Sequence, residues 1–217
     1  MNIGILLFPD VEELDFVGPW EMATMWKAVA KPGERVPSRC LLIAQSSAPI
    51  VCAKGMQVLP HTDFDHCPAL DLLVLPGGQG TRKEVNNPSL VDFVARQAAQ
   101  AQAVVSVCTG TFVLHAAGCL VGKRATTHWG SLERLRALGD VSVVEERWVR
   151  DGAVWTSAGV SAGIDVMLAV IADLAGEEVA GRVQFAAEYY PEARRYGQFE
   201  QHSGMPAYAR AGASTNI

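Results

Sequence analysis

The strongest constraint on this chain is a repeated alternation of short apolar runs with helical patterns. The runs are Ile3–Phe8, interrupted only by Gly4, then Cys40–Ala44, Leu72–Leu75 and Val104–Val107. A strand that is apolar on both sides needs cover on both sides, which is what a parallel sheet between two helical layers supplies. Between the runs, Pro19–Ala30, Pro88–Gln102, Gly110–Ala117, Ser131–Leu138 and Ile164–Ala175 read as helices. Asn87 is a good N-cap for the second, with Pro88 at its first helical position. Ser161 and Gly176 mark a start and a stop for the last. Val141–Val144, Arg147–Arg150 and Ala153–Thr156 read as short strands, with Asp151-Gly152 as a hairpin turn between the last two. This order predicts an α/β fold: a doubly wound, mostly parallel sheet with helices on both faces. Residues 1–190 form one expected domain, and 191–217, polar and Gly-rich, an irregular C-terminal tail. That tail reads either as flexible or as ordered by a partner chain.

Composition narrows the class. With 217 residues, 49% apolar and 19% charged, the chain is neither disordered nor a coiled coil, and it is long enough to fold without metal or disulfide staples. A net charge of −5 argues against a nucleic-acid surface. No run approaches the roughly 18 apolar residues of a membrane span. MNIGILLFPD lacks a basic start and a cleavage site, so it reads as a first strand rather than a signal peptide, and the expected location is the cytoplasm. The five cysteines, at 40, 52, 67, 108 and 119, show neither CxxC spacing nor a Cys/His zinc pattern.

In doubly wound sheets the reactive groups lie beyond the carboxyl ends of the strands, and three such places stand out. The sharpest is Ala103–Gly110, AVVSVCTG, in which Cys108 sits at a strand-to-helix turn. There the helix dipole and unpaired amides favour a thiolate, so Cys108 is a candidate nucleophile; the alternative is a buried strand-end cysteine. The second is LPGGQG at 75–80. Amides of Gly77 and Gly78 could receive charge developing on a substrate, or the glycines could simply serve a tight turn. The third is the acidic stretch after the first strand. Asp15, flanked by Leu14, Phe16 and Val17, is either a pocket carboxyl with a raised pKa or a helix cap.

Two other motifs are weaker. Gly159-Val160-Ser161-Ala162-Gly163 matches the GxSxG elbow, but a serine hydrolase needs an acid and then a histidine later in the chain, and only His202 follows. Ser161 therefore reads as a helix cap or pocket residue. His128, beside Trp129, is a possible base for Cys108 or a packed core histidine.

Four stretches together carry a resemblance: LDFVGPWE at 14–21, LPGGQG at 75–80, SVCTGTFVLHAAGCLVGKRATTHW at 106–129 and AGVSAGIDVML at 158–168. Over about residues 1–190 the chain resembles the ThiJ/PfpI family of the class I glutamine amidotransferase-like, flavodoxin-like fold, and within it the isocyanide hydratase branch. Transcription regulators share much of the third stretch but carry a DNA-binding domain for which 217 residues are expected to leave no room. Protease-like and deglycase-like relatives have a His after the cysteine and a Glu in the first loop. Here those positions hold Thr109 and Asp15.

The resemblance implies an enzyme that hydrates isocyanides, R–NC, to N-substituted formamides. Cys108 would be the nucleophile that forms a thioimidate, Asp15 the proton donor and acceptor, and Gly77, Gly78 and Thr109 the groups that position substrate or water. It implies no metal or organic cofactor, no nucleic-acid or membrane partner, and a homodimer. The alternative is a family member acting as a cysteine-based redox or stress sensor, or another thiol-dependent enzyme.

Overall fold

The computed structural model describes residues 1–191 and 202–210. In chain order the strands are β1 (Asn2–Leu6), β2 (Arg39–Ala44), β3 (Ile50–Val51), β4 (Gln57–Val58), β5 (Thr62–Asp63), β6 (Leu72–Leu75), β7 (Ala103–Val107), β8 (Arg124–Ala125), β9 (Ser142–Val143), β10 (Trp148–Asp151) and β11 (Val154–Ser157). The helices are α1 (Glu13–Val29), α2 (Thr81–Glu84), α3 (Pro88–Ala98), α4 (Gly110–Ala116), α5 (Leu132–Arg136), α6 (Ala162–Ala175) and α7 (Glu177–Ala186).

Seven strands form the main sheet in the order β10-β11-β7-β6-β1-β2-β5. All its pairs are parallel except the β10–β11 hairpin. The chain leaves β1 towards β2 and later returns to place β6 on the other side of β1, so the strand order reverses at the β1/β6 boundary. Right-handed crossovers running in opposite directions from there put helices on both faces. On one face α1, α6 and α7 pack on each other; α3 and α4 lie together on the other. This is the doubly wound α/β architecture expected from the alternation.

The central strands are buried at every position: Leu72–Leu75 and Ala103–Val107 have no exposed residue. Each fully buried Leu, Ile or Val contributes roughly 1.5–3 kcal/mol from apolar burial. The one polar residue of β7, Ser106, pairs its hydroxyl with that of Thr111 at 2.9 Å. Helix α3 begins as its cap predicts: Asn87 accepts the Leu90 amide, with Pro88 following. Gly176 ends α6 with φ of 98°, a conformation that other residues adopt at a cost.

Several boundaries differ from expectation, among them the end of α3 at Ala98 rather than Gln102. Helix α1 begins at Glu13, six residues before Pro19, which lies inside it. Proline marks a first turn because it lacks an N–H. Here Gly18 and Pro19 instead form a close contact with α6: a Cβ at Gly163 would meet Pro19 Cδ at 3.2 Å, and one at Gly18 would meet Ile164 Cγ1 at 3.0 Å. Helix α6 begins at Ala162 rather than Ile164, and α7 is a further helix after Gly176.

Beyond Pro191 the chain is described only at 202–210; 192–201 and 211–217 lie outside the described residues. Residues 202–210 lie against their own chain, with His202 edge-on to Trp129 at 5.9 Å between ring centroids. Among the described residues no helix is long and apolar enough to cross a membrane. All five cysteines are free thiols.

Candidate active site

The loops after β1, β6 and β7 converge beyond the carboxyl ends of three adjacent strands. Cys108 follows β7 directly and takes a positive φ of 56°. A non-glycine residue holds such a conformation only where its surroundings enforce it. Here they do. The Cys108 amide donates to the Ala158 carbonyl at 3.1 Å. Its own carbonyl accepts from the hydroxyls of Thr127 at 2.8 Å and Thr111 at 3.2 Å. The turn pushes the side chain out of the strand, where the amides of Thr109 and Val160 and the Thr109 hydroxyl face the thiol. The residue remains 7% exposed.

Asp15 reaches the same point from α1. It lies in the first turn of that helix, fully buried, and does not cap it: Oδ2 accepts the Gly77 amide at 2.8 Å. Oδ1 is buried without a hydrogen bond. The carboxyl faces the Cys108 thiol, and each group alters the other's proton affinity. Burial, chiefly, pushes Asp15 up to about 7. Burial first, and the Asp15 charge second, push Cys108 up to about 12. The Thr109 and Val160 amides pull the thiol the other way but do not prevail. This corrects the expectation that the helix N-terminus alone would yield a thiolate. Desolvation of a nearly enclosed sulfur beside a carboxylate outweighs two amide dipoles. Above about pH 7 the pair Asp15–Cys108 holds one proton rather than two.

Gly77 and Gly78 hold the pair in place. Gly77 is wedged so tightly that an added Cβ would stand 2.6 Å from the Thr109 amide nitrogen and 2.8 Å from Asp15 Oδ2. Gly78, at φ of 120°, donates its amide to the Thr109 hydroxyl at 3.0 Å. That hydroxyl also accepts from Thr81 at 3.2 Å. The amides expected to meet a substrate are therefore bonded to Asp15 and Thr109, so the two glycines orient side chains.

The other candidates lie elsewhere in the hydrogen-bond network. The Ser161 hydroxyl accepts from Arg147 Nη2 at 2.9 Å, and Arg147 Nε also donates to Asp165 at 2.8 Å. Ser161 carries no cap bond to α6. His128 Nδ1 accepts the Gly130 amide at 3.2 Å, its ring packs on the backbone of Gly159, and burial lowers its pKa. No group of three His, Cys, Asp or Glu among the described residues could hold a metal ion.

The sequence reading missed Val160. Its amide faces the thiol although its φ of 44° is unfavourable for a β-branched residue. The GVSAG stretch was the available signal, but the motif drew attention to Ser161, the next residue.

A cysteine on a strained turn after a central strand thus faces an acid delivered from the first turn of α1. Residues 1–173 match the DJ-1/PfpI family. The chain belongs to that family. An isonitrile hydratase of Pseudomonas putida is 41% identical over 191 residues, covering 88% of this chain and 79% of that protein. A ThiJ/PfpI family protein from Pseudomonas syringae superposes with a TM-score of 0.81 at 31% identity, covering 92% of this chain and 79% of that one. Drosophila melanogaster DJ-1beta shares the fold at 20% identity, with a TM-score of 0.74 over 88% of this chain and 98% of its own. In this DJ-1/PfpI chain the acid beside the cysteine is Asp15 and the residue after the cysteine is Thr109.

Proposed function

We propose that this DJ-1/PfpI family protein hydrates organic isocyanides to N-substituted formamides. The buried carboxyl of Asp15, which faces the Cys108 thiol and keeps one oxygen without a hydrogen bond, carries this reading. The 41% identity to an isonitrile hydratase supports it. The terminal carbon of R–NC is electrophilic towards sulfur and basic towards a proton. Cys108 Sγ bonds to that carbon while Asp15 relays the thiol proton to it, giving R–N=CH–S–Cys108. Water then adds to the same carbon, with Asp15 taking a proton from it and passing that proton to nitrogen. The resulting R–NH–CH(OH)–S–Cys108 collapses: the C–S bond breaks, the hydroxyl proton returns to sulfur through Asp15, and R–NH–CHO leaves. The sum is R–NC plus water. Every proton moves between the substrate, water and the Asp15–Cys108 pair, so no cofactor is needed. Thr109 and Val160 amides steady the sulfur as charge develops on it.

Gly77 and Gly78 are positioning residues in this scheme, and Thr109 stands between the thiol and the Gly78 amide. The protein acts as a cytoplasmic homodimer, an oligomeric state that light scattering on a size-exclusion column checks directly.

The redox-sensor reading requires an exposed thiol of low pKa. Cys108 is buried with a raised pKa, which disfavours it. The deciding experiment follows formamide production from an aryl isocyanide by ultraviolet absorbance. Wild type turns the substrate over; Cys108→Ala has no detectable activity; Asp15→Asn loses at least about a hundredfold in kcat/KM. Retention of wild-type turnover by either variant would overturn the scheme. Selective peroxide oxidation of Cys108 without any isocyanide turnover would favour the sensor instead.

A further inference from the structure

Val160 stands between the thiol and a cavity of about 490 Å³ that Cys108 itself does not line. Val160 joins the two, because its amide faces Cys108 while the residue lines the cavity. One side is the body of the fold, with Trp129 and Gly159; the outer side is Met205, Pro206 and Tyr208. The outer residues belong to the segment His202–Arg210, far from Cys108 in sequence. That segment is anchored. Gly204 packs against the Trp129 ring so closely that a Cβ there would lie 2.5 Å from Cζ3. Pro206 is buried, and the Ala207 amide donates to Glu145 Oε2 at 3.4 Å. Tyr208 stands near enough for the charge of Cys108 to reach its phenol.

We propose that the segment His202–Arg210 is the outer wall of the pocket that receives the R group of the isocyanide, and that Trp129, Met205 and Tyr208 select which R groups fit. The inference rests on the hydratase reading and names the residues of its specificity. An isocyanide is linear, so once its terminal carbon meets Sγ the R group points away from the thiol. The Asp15 side is closed by Gly77 and Thr109. On the Val160 side the next space is the cavity that Val160 lines. Its size is that of a small-molecule site. Its lining offers the rings of Trp129 and Tyr208 and the flexible thioether of Met205, all suited to a flat apolar group. Among the described residues the fixed charge in the lining is Arg147, which Asp165 already pairs at 2.7 Å. The favoured substrate is therefore an uncharged isocyanide with a large apolar, ring-bearing R group. A methyl isocyanide leaves most of the cavity unused.

The test compares kcat/KM for 2-naphthyl isocyanide with that for methyl isocyanide in the full chain. Wild type favours the naphthyl substrate. Met205→Trp narrows the cavity and lowers the naphthyl-to-methyl ratio at least tenfold. Tyr208→Ala removes one face and lowers the ratio at least threefold through KM. Equal losses on both substrates, or an unchanged ratio in both variants, would overturn the wall. A second readout does not depend on turnover: quenching of tryptophan fluorescence by N-(2-naphthyl)formamide in Cys108→Ala. Adding Met205→Trp weakens that binding at least tenfold. If wild type hydrates neither isocyanide, the hydratase reading falls. The binding measurement then decides the wall alone, with unchanged affinity counting against it.

Discussion

In the proposed reaction Asp15 and Cys108 share their protons, and this sets the pH dependence. Attack by sulfur requires that the thiol proton have somewhere to go, and the nearest acceptor is the Asp15 carboxylate. With Asp15 raised to about 7, the pair is doubly protonated in acid and the carboxyl cannot accept. The sign follows: kcat/KM rises with pH through about 7 and is level above it, up to the titration of the thiol at about 12. Below the bend the rate falls tenfold per pH unit, as it must when one proton blocks the active form. A pH–rate profile from acid to alkaline buffers with a neutral isocyanide checks this. A flat profile through the bend, or a rate that climbs in acid, would remove Asp15 from the proton path. That Cys108 sits at an elbow was legible in the sequence, since a cysteine between a buried strand and a helix is a local pattern, whereas Asp15 among Leu14, Phe16 and Val17 was legible only as a pocket acid or a helix cap, and packing decided between them. The direction of the thiol's shift was not legible. It depends on how deeply the sulfur is enclosed and on the distance to a carboxyl 93 positions earlier in the chain.

At the scale of elements, the strands were the most legible part. Leu72–Leu75 stands where the apolar run places it, and α3 begins at its predicted cap. The start of α1 was not legible, because Pro19 carries a local first-turn signal while its actual role is contact with Gly163 of α6. That difference matters for function: beginning α1 at Glu13 puts Asp15 on a rigid helical turn rather than in a loop. The β6–α2 turn does the corresponding work from the other side. Gly77→Ala must push a methyl group into the Thr109 amide and Asp15 Oδ2, 2.6 and 2.8 Å away. We expect kcat to drop about a hundredfold from the displaced pair, since small misplacements cost that much. Thermal unfolding would register an overpacking cost of about 1–3 kcal/mol. Wild-type kcat in Gly77→Ala would mean that the spacing of Asp15 and Thr109 is not critical.

At the scale of the whole molecule, three loops from strands that are neighbours in the sheet but separated in sequence are brought to one end. The reversal of strand order between β1 and β6 opens the space that Asp15 and Cys108 fill. The net charge of −5 plays no part in capturing an uncharged substrate, because a neutral molecule feels no long-range steering. Thus kcat/KM for a neutral isocyanide should change less than about twofold between low and high salt. A steep salt dependence in stopped-flow or steady-state assays would point to a charged substrate.

The sequence by itself determined the α/β class, the succession of the principal strands along the chain, and three strand ends as candidate places for chemistry. Those properties follow from periodicity and from residues adjacent in the chain. Only the tertiary structure decided that the Gly77 and Gly78 amides hold Asp15 and Thr109, that Val160 faces the sulfur, and that His202–Arg210 lies over Trp129. Each depends on the distance between residues remote in sequence. Such distances are set by the packing of the whole sheet and its two helical layers, and no local pattern encodes them.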